Sequence, residues 1–422
     1  MAAAPALASV VDTHDAGAPA RNRFRLPARA YLIGNSLGPL SDAAERAVAD
    51  AMTAWRDHGI AGWLCGSPPW IGLTGRVAEL LSPIVGAPAR DLCVTGSTTV
   101  NLHQLLSTLY LPTPTRDSVV IDALAFPTDR YAVESHLRVR GRDPGRAMVV
   151  VPSRDDATLD EAEVESVLSR PDVVLAVLPA VVFKSGQLLD LQRVTRAARA
   201  RGVAIGWDCS HAVGAVPLNL DALDADFAFW CSYKYLNGGP GATAGLWLNP
   251  RQHGQALPGM AGWFGVDPKR QFQMLPEFIP ADGAARMQTG SPNILSLAPL
   301  LGALQIFADA GGIDAMRARS LALTQRLIDA VDAKLTDAHG VRVITPRSPA
   351  RRGGHVAIAH PRAEEICRRL AEEHGVLVDF RQPNVLRITP AALYNTPGEV
   401  DLAVDAIRAI LSQPPQSAAT AA

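Results

Sequence analysis

The stretch Val203-Ala204-Ile205-Gly206-Trp207-Asp208-Cys209-Ser210-His211-Ala212-Val213-Gly214 is an apolar run that stops at a carboxylate. A run this short, bounded by polar residues and glycine, reads as a strand buried on both faces. Similar runs recur around it, at 119–121, 148–151, 173–178, 227–230 and 245–248. Helix-like stretches, among them 159–168 and 191–201, lie between them. Strands alternating with helices predict an α/β fold, a mainly parallel sheet sandwiched by helices. The carboxyl ends of such strands open on the crevice where α/β sheets bind ligands, and Asp208 stands at that end.

A second stretch, Trp230-Cys231-Ser232-Tyr233-Lys234-Tyr235-Leu236-Asn237-Gly238-Gly239-Pro240-Gly241, follows another of these runs. Of 40 basic residues only Lys184, Lys234, Lys269 and Lys334 are lysine. An amine can condense with a carbonyl to form a Schiff base, which an always-protonated guanidinium cannot do. Lys234, with glycines after it leaving backbone room for a bulky ligand, is therefore a candidate covalent anchor. An ordinary surface lysine is the alternative, and the surroundings decide. A buried Asp208 calls for a cationic partner, and the protonated ring nitrogen of pyridoxal phosphate is one such partner for a Schiff-base lysine. A plain helix cap is the competing reading of Asp208. Upstream, Val94-Thr95-Gly96-Ser97-Thr98-Thr99-Val100-Asn101 places glycine and hydroxyls before a helix-like segment at 101–110, as an anion cradle requires. Phe126, in Ala125-Phe126-Pro127-Thr128-Asp129-Arg130-Tyr131, suits stacking on a heteroaromatic ring, or equally an ordinary core position.

The bulk properties are those of a soluble globular chain. Hydrophobic residues make up 48% and charged residues 19%, and the formal charge of −1 gives no electrostatic case for nucleic acid or an anionic membrane. Cys65, Cys93, Cys209, Cys231 and Cys367 form an odd set without a CxxC pair, which fits reduced cytoplasmic thiols better than disulfides or zinc. No signal peptide or membrane span is expected, since the uncharged run 294–308 is too short to cross a bilayer. No metal site is expected either, because the ten histidines form no HExxH pattern.

The expected organisation is a disordered tail over 1–24 and a segment at 25–60 that packs on a small domain. A large cofactor-binding domain at 61–300 follows, then a smaller α+β domain at 301–412 and a tail at 413–422. Within the small domain helices are expected at 313–335, 363–374 and 397–411, and strands at 341–344, 356–359, 376–380 and 385–388.

Seven motifs in order carry a resemblance. Gly34-Asn35-Ser36-Leu37-Gly38, Thr99-Val100-Asn101-Leu102-His103, Phe126-Pro127-Thr128-Asp129 and the block from Asp208 to Gly214 are the first four. The block from Cys231 to Gly241, Gly262-Trp263-Phe264-Gly265 and Leu393-Tyr394-Asn395 complete them. Together, over roughly residues 31–411, the chain resembles the kynureninases. The resemblance implies the aspartate aminotransferase fold type, pyridoxal 5'-phosphate, and a homodimer whose active sites take residues from both subunits. It implies hydrolysis of L-kynurenine to anthranilate and L-alanine, within tryptophan degradation by the kynurenine pathway and NAD biosynthesis. By the same resemblance Lys234 holds the cofactor, Asp208 pairs with its ring nitrogen, and His211 lies close to the ring. Phe126 stacks on the ring, Asp129 lines it, and Thr98, Thr99 and Tyr233 contact phosphate. Tyr233 also assists proton transfer. Trp263 and Ser291 complete the phosphate site from the partner subunit. Arg387 clamps the substrate carboxylate, a task suited to a bidentate guanidinium. Asn35, Ser36 and Trp63 are implied at the substrate.

Three positions depart from the family pattern. Pro179 stands where relatives often carry a hydroxyl, Val266 replaces a histidine of some relatives, and Trp63 stands where animal members tend to have histidine. Fewer polar groups for a ring hydroxyl favour unsubstituted kynurenine over 3-hydroxykynurenine. The nearest rival is a cysteine desulfurase or class V aminotransferase, families that typically carry histidine where this chain has Tyr233. A desulfurase also needs a nucleophilic cysteine on a mobile loop, and Cys231 is too close to Lys234 for that. A serine hydrolase using Ser36 of the GxSxG match is a further alternative, but a hydrolase sheet needs several strands before its nucleophile.

Overall fold

The computed structural model describes residues 18–254 and 258–415, without the side chains of 337 and 338. Most of the two expected tails, 1–17 and 416–422, lies outside the described residues. Residues 18–24 are not a tail. The Ala20 amide donates to the Leu393 carbonyl at 3.1 Å, and Arg21 lies 3.0 Å from Glu399. Phe24–Arg25 pairs with Leu40–Ser41, and the Phe24 ring packs 5.0 Å from that of Tyr394.

The apolar runs form one seven-stranded sheet. Its order is Leu92–Val94, Gly245–Leu248, Phe227–Trp230, Ala204–Asp208, Val173–Pro179, Ser118–Asp122, Met148–Val151. Gly245–Leu248 runs antiparallel to both neighbours, and the remaining pairs are parallel. Burial on both faces explains the continuous apolar runs: Ile205, Trp207, Phe227, Phe229 and Trp247 are all fully buried. Gly206 is needed for packing, since a Cβ there would lie 1.9 Å from the ring of Phe227 on the next strand. Because Pro179 is in register with Asp208, these strands end at one level and their terminal residues share the crevice.

The small domain is a four-stranded antiparallel sheet in the order Arg342–Val343, Val356–Ala359, Val385–Ile388, Asp379–Arg381. Helices Gly312–Lys334, Ala363–His374 and Pro397–Leu411 close its core around Leu327, Ile366, Leu386 and Ile407. The single strand expected at 376–380 is two. Val376–Leu377 pairs in parallel with Ala30–Tyr31, whereas Asp379–Arg381 joins the four-stranded sheet. The N-terminal segment thus adds its own strand to the small domain, and Ala30 and Leu32 enter that domain's core. Asn395 ties the two together, donating to the Tyr31 carbonyl at 3.1 Å and accepting from the Ala391 amide at 2.8 Å. The N-terminal helix Asp42–His58 then crosses Ile294–Asp309 closely enough that a Cβ at Gly302 would meet the Ala43 carbonyl at 2.3 Å. That uncharged run is therefore a core helix, and no single helix among the described residues is long and apolar enough to cross a membrane.

Candidate active site

Lys234 leaves the sheet in the turn after Phe227–Trp230, and its Nζ lies 2.8 Å from His211 Nε2. Burial first, and then the charges of Lys234 and Arg387, push the His211 imidazole far below its ordinary range. It is neutral, so with the Lys234 ammonium as donor Nε2 is the acceptor and the ring hydrogen sits on Nδ1. Nδ1 is buried and has no partner in the protein. The turn is held by the segment Gly34-Asn35-Ser36-Leu37-Gly38. The Gly38 amide donates to the Tyr233 carbonyl at 2.7 Å, and any Cβ on Gly38 would lie 2.6 Å from the Lys234 carbonyl oxygen. Only glycine permits that approach.

Beneath the lysine lie three carboxyls. Asp208 Oδ1 accepts from the Ser210 amide at 2.8 Å. Asp129, in the first turn of helix Pro127–Val139, is hydrogen-bonded to Asp208 through its side chain. Burial chiefly, and then Asp208 and Asp122, hold the Asp129 carboxyl far above its usual range, so it keeps a proton. Asp122, at the end of strand Ser118–Asp122, is pushed up to about 7, mainly by burial, while its bond from the Leu124 amide at 2.8 Å opposes the rise. Lys234 brings one positive charge to three carboxyls, so the cluster is short of cations. Asp129 Oδ1, Asp122 Oδ2 and both amide atoms of Asn35 are buried without partners.

Above the carboxyls, Phe126 leaves 41% of its surface exposed and stands 6.0 Å from Lys234 Nζ, with the Phe183 ring edge-on at 5.3 Å. The expected helix at 101–110 begins earlier, as Thr98–Leu109, capped by Ser97. Thr98 and Thr99 therefore occupy its first turn, where amides and the helix dipole favour an anion. Thr99 Oγ1 lies 2.7 Å from Thr128 Oγ1, which links the cradle to the Phe126 segment. Tyr233 is half-buried, and its phenol is raised by burial and by Cys231 beside it, so it holds its proton.

On the small-domain side, Arg387 is almost wholly buried. Its guanidinium donates to the Phe183 carbonyl at 2.9 Å and to Ser36 Oγ at 3.0 Å, and it pairs with Asp379. Ser36 Oγ donates to Asp379, so no histidine activates this hydroxyl and the serine-hydrolase alternative lacks its base.

Other predicted site residues are not brought to the lysine in the single chain. Trp63 packs at 5.9 Å from Trp70 and 5.7 Å from Phe264, and Phe264 in turn packs at 5.3 Å from Trp263. Ser291 is exposed beside a hollow of about 210 Å³ shared with Thr95, Gly96 and Thr289. Pro179 ends its strand, and the next amide, Ala180, donates to the Asp208 carbonyl at 2.9 Å. Asp122, Phe183, His355 and Asp379 were not anticipated. Asp122 ends an apolar run as Asp208 does, a signal the sequence offered; the others join the site only through pairings distant in sequence.

A planar heteroaromatic cofactor with an aldehyde, a phosphate and a protonatable ring nitrogen fits these groups. The amine faces the crevice, the helix start suits an anion, and three carboxyls share one nearby cation, Lys234.

Comparison with known proteins gives a family. The kynureninase C-terminal domain profile matches residues 316–407. A kynureninase of Geobacillus thermodenitrificans is 43% identical over 394 residues, 93% of this chain and 91% of that one. One of Shouchella clausii is 41% identical over 407 residues, 96% of this chain and 94% of that one. Among solved structures, the apo cysteine desulfurase of Thermococcus onnurineus superposes with a TM-score of 0.77 at 16% identity, covering 93% of this chain and 97% of that one. That likeness concerns the fold alone, an α/β architecture as the apolar runs predict.

The carboxyl cluster makes a pH-dependent prediction for the cofactor-free protein. Asp122 titrates near 7 when folded but near 4 when unfolded, so folding takes up a proton between these values and stability falls as pH rises through that window. Below about pH 4 both states are protonated and the penalty vanishes. Asp122→Asn is therefore expected to exceed the parent in stability at pH 8 by roughly 2–4 kcal/mol, with the gap closing toward pH 4. Urea unfolding across this range checks it, and a gap independent of pH would contradict the assignment.

Proposed function

The chain belongs to the kynureninase family, and from that premise we propose that its crevice hydrolyses L-kynurenine to anthranilate and L-alanine with pyridoxal 5'-phosphate at Lys234. The observation that carries this reading is one buried crevice holding Lys234 beside neutral His211, with Asp208 below and Arg387 across from it.

When bound, the cofactor supplies an electron sink for charge left at the substrate Cα. The protein's own groups do the rest. Asp208, backed by protonated Asp129, would hold a proton on the ring nitrogen. Thr98 and Thr99 at the helix start would bind the phosphate, and Phe126 would stack against the ring. Arg387 binds the α-carboxylate and so orients the side-chain carbonyl. The Lys234 amine would serve as the base that takes the Cα proton. Tyr233, protonated and half-buried, delivers or takes a proton as water adds to the carbonyl and the bond from Cβ to Cγ breaks. The desulfurase alternative finds no support at Cys231, whose thiol is buried and raised by that burial, hence a poor nucleophile. Purified holoenzyme is expected to release anthranilate from L-kynurenine faster than 3-hydroxyanthranilate from the 3-hydroxy substrate, as the apolar Trp63 and Val266 suggest, and to leave cysteine untouched. Sulfur release from cysteine without kynurenine turnover would overturn the reading.

The working form we propose is a cytoplasmic homodimer. All five cysteines are free, in keeping with a reducing compartment. Trp263, Phe272 and Met274 expose 43%, 64% and 69% of their surface, an apolar load that a second copy would cover. In a shared site, Trp263 and Ser291 would serve the partner's Lys234. Co-expression of Lys234→Ala chains with Trp263→Ala chains is then expected to recover roughly a quarter of parental activity, because half the dimers are mixed and each mixed dimer keeps one intact site. Recovery no greater than the sum of the separate variants would argue for sites contained within one chain.

A further inference from the structure

Arg387 does not stand alone. Its strand, Val385–Ile388, pairs antiparallel with Asp379–Arg381, and Asp379 is its direct cross-strand partner. Directly opposed residues project from the same face of a sheet, so the two side chains are brought together by register. Asp379 Oδ2 accepts from Arg387, from Ser36 Oγ and from Arg381 Nη2, the last at 3.0 Å. Arg387 Nη1 donates to the Phe183 carbonyl and Nη2 to Ser36 and Asp379, yet its Nε is buried with no acceptor. An N–H so placed calls for an anionic oxygen from outside the chain.

The local charge points the same way. Two guanidiniums, Arg381 and Arg387, face one carboxylate, Asp379. The histidines and the tyrosine beside the pair add no charge. His355 is driven down to about 3, chiefly by burial, His211 is likewise neutral, and the buried Tyr235 keeps its proton. One positive charge is left over, the complement of a single substrate carboxylate. The anchor is also spatially linked to the lysine. Arg387 Cζ lies 5.9 Å from the Phe183 ring, which packs against Phe126, itself 6.0 Å from Lys234 Nζ.

We propose that Asp379 is a positioning residue for substrate recognition, holding Arg387 through its cross-strand ion pair and the shared Ser36 hydroxyl so that the unspent Nε–H meets the α-carboxylate of the amino-acid substrate. The proposal rests on the reading of Arg387 as the carboxylate clamp. Asp379 does not plug the clamp; it fixes the guanidinium's rotation and limits the surplus to one charge.

The test compares L-alanine with L-alaninamide binding to the holoenzyme, followed by cofactor absorbance, since the two differ only in the carboxylate. Asp379→Asn keeps the size and removes the charge. It is expected to lose roughly tenfold of the preference for L-alanine and to raise the KM for L-kynurenine by a similar factor, with kcat changed far less. Asp379→Glu, which keeps the charge, is expected to recover part of the preference, and it serves as the test should the Asn variant fail to fold: a Glu variant with undiminished preference then counts against the proposal. Tighter binding of L-alanine by Asp379→Asn would instead mark Asp379 as a competitor for the clamp and overturn the proposal, as would an unchanged preference. Arg387→Ala separates the two layers. If it keeps the preference, the clamp reading itself fails; if it loses the preference while Asp379→Asn keeps it, only the role of Asp379 fails.

Discussion

A carboxylate buried at the end of a parallel strand must find positive charge or take up a proton, and this constraint organises the whole crevice. Asp208 sits there with Asp129 and Asp122, and the protein resolves the crowding by keeping Asp129 protonated and Asp122 raised. The nearest cation above them, Lys234, is engaged with the neutral imidazole of His211. The cluster is thus preorganised for an incoming cation. A protonated heteroaromatic ring would satisfy it without moving the backbone, a form of electrostatic preorganisation that costs nothing at the moment of reaction.

The same crevice depends on three stretches of chain far apart in sequence. The large domain supplies the lysine, the carboxyls and the anion cradle. The small domain supplies Arg387 on a strand whose neighbour carries Asp379. The N-terminal segment bridges them, with Ala30–Tyr31 paired to Val376–Leu377, Gly38 against the lysine turn and Ser36 bonded to Arg387. Arg387 itself reaches across, donating to the Phe183 carbonyl of the large domain at 2.9 Å, so a substrate held between Arg387 and Lys234 meets groups whose relative position is already set.

Much of this was legible in the sequence, for a physical reason. Strands buried on both faces must be apolar at every position, so the runs ending at Asp208 and Trp230 announced themselves. Lys234 and the hydroxyls at 97–99 carried chemistry that ordinary surface composition does not need. What stayed hidden depends on pairing. Leu92–Val94 is only three residues long, too short to show a period. The run 376–380 divides between two partners because residue 378 separates strands that pair on different sides. Asp379, Phe183 and His355 enter the site through cross-strand register and domain contact, neither of which leaves a local pattern. Residues 18–24 looked like a polar tail because their partners, Leu393, Tyr394 and Glu399, lie at the other end of the chain.

The proposed chemistry requires that Lys234 alone among four lysines form the covalent link to the cofactor. Borohydride reduction of the holoenzyme, followed by proteolysis and mass spectrometry, fixes any imine in place and reports which lysine carries the pyridoxyl group. The label is expected on the peptide containing Lys234, with Lys184, Lys269 and Lys334 unmodified. A label on Lys184, whose ammonium is paired with Asp156, or no label at all in a protein that turns over kynurenine, would contradict it.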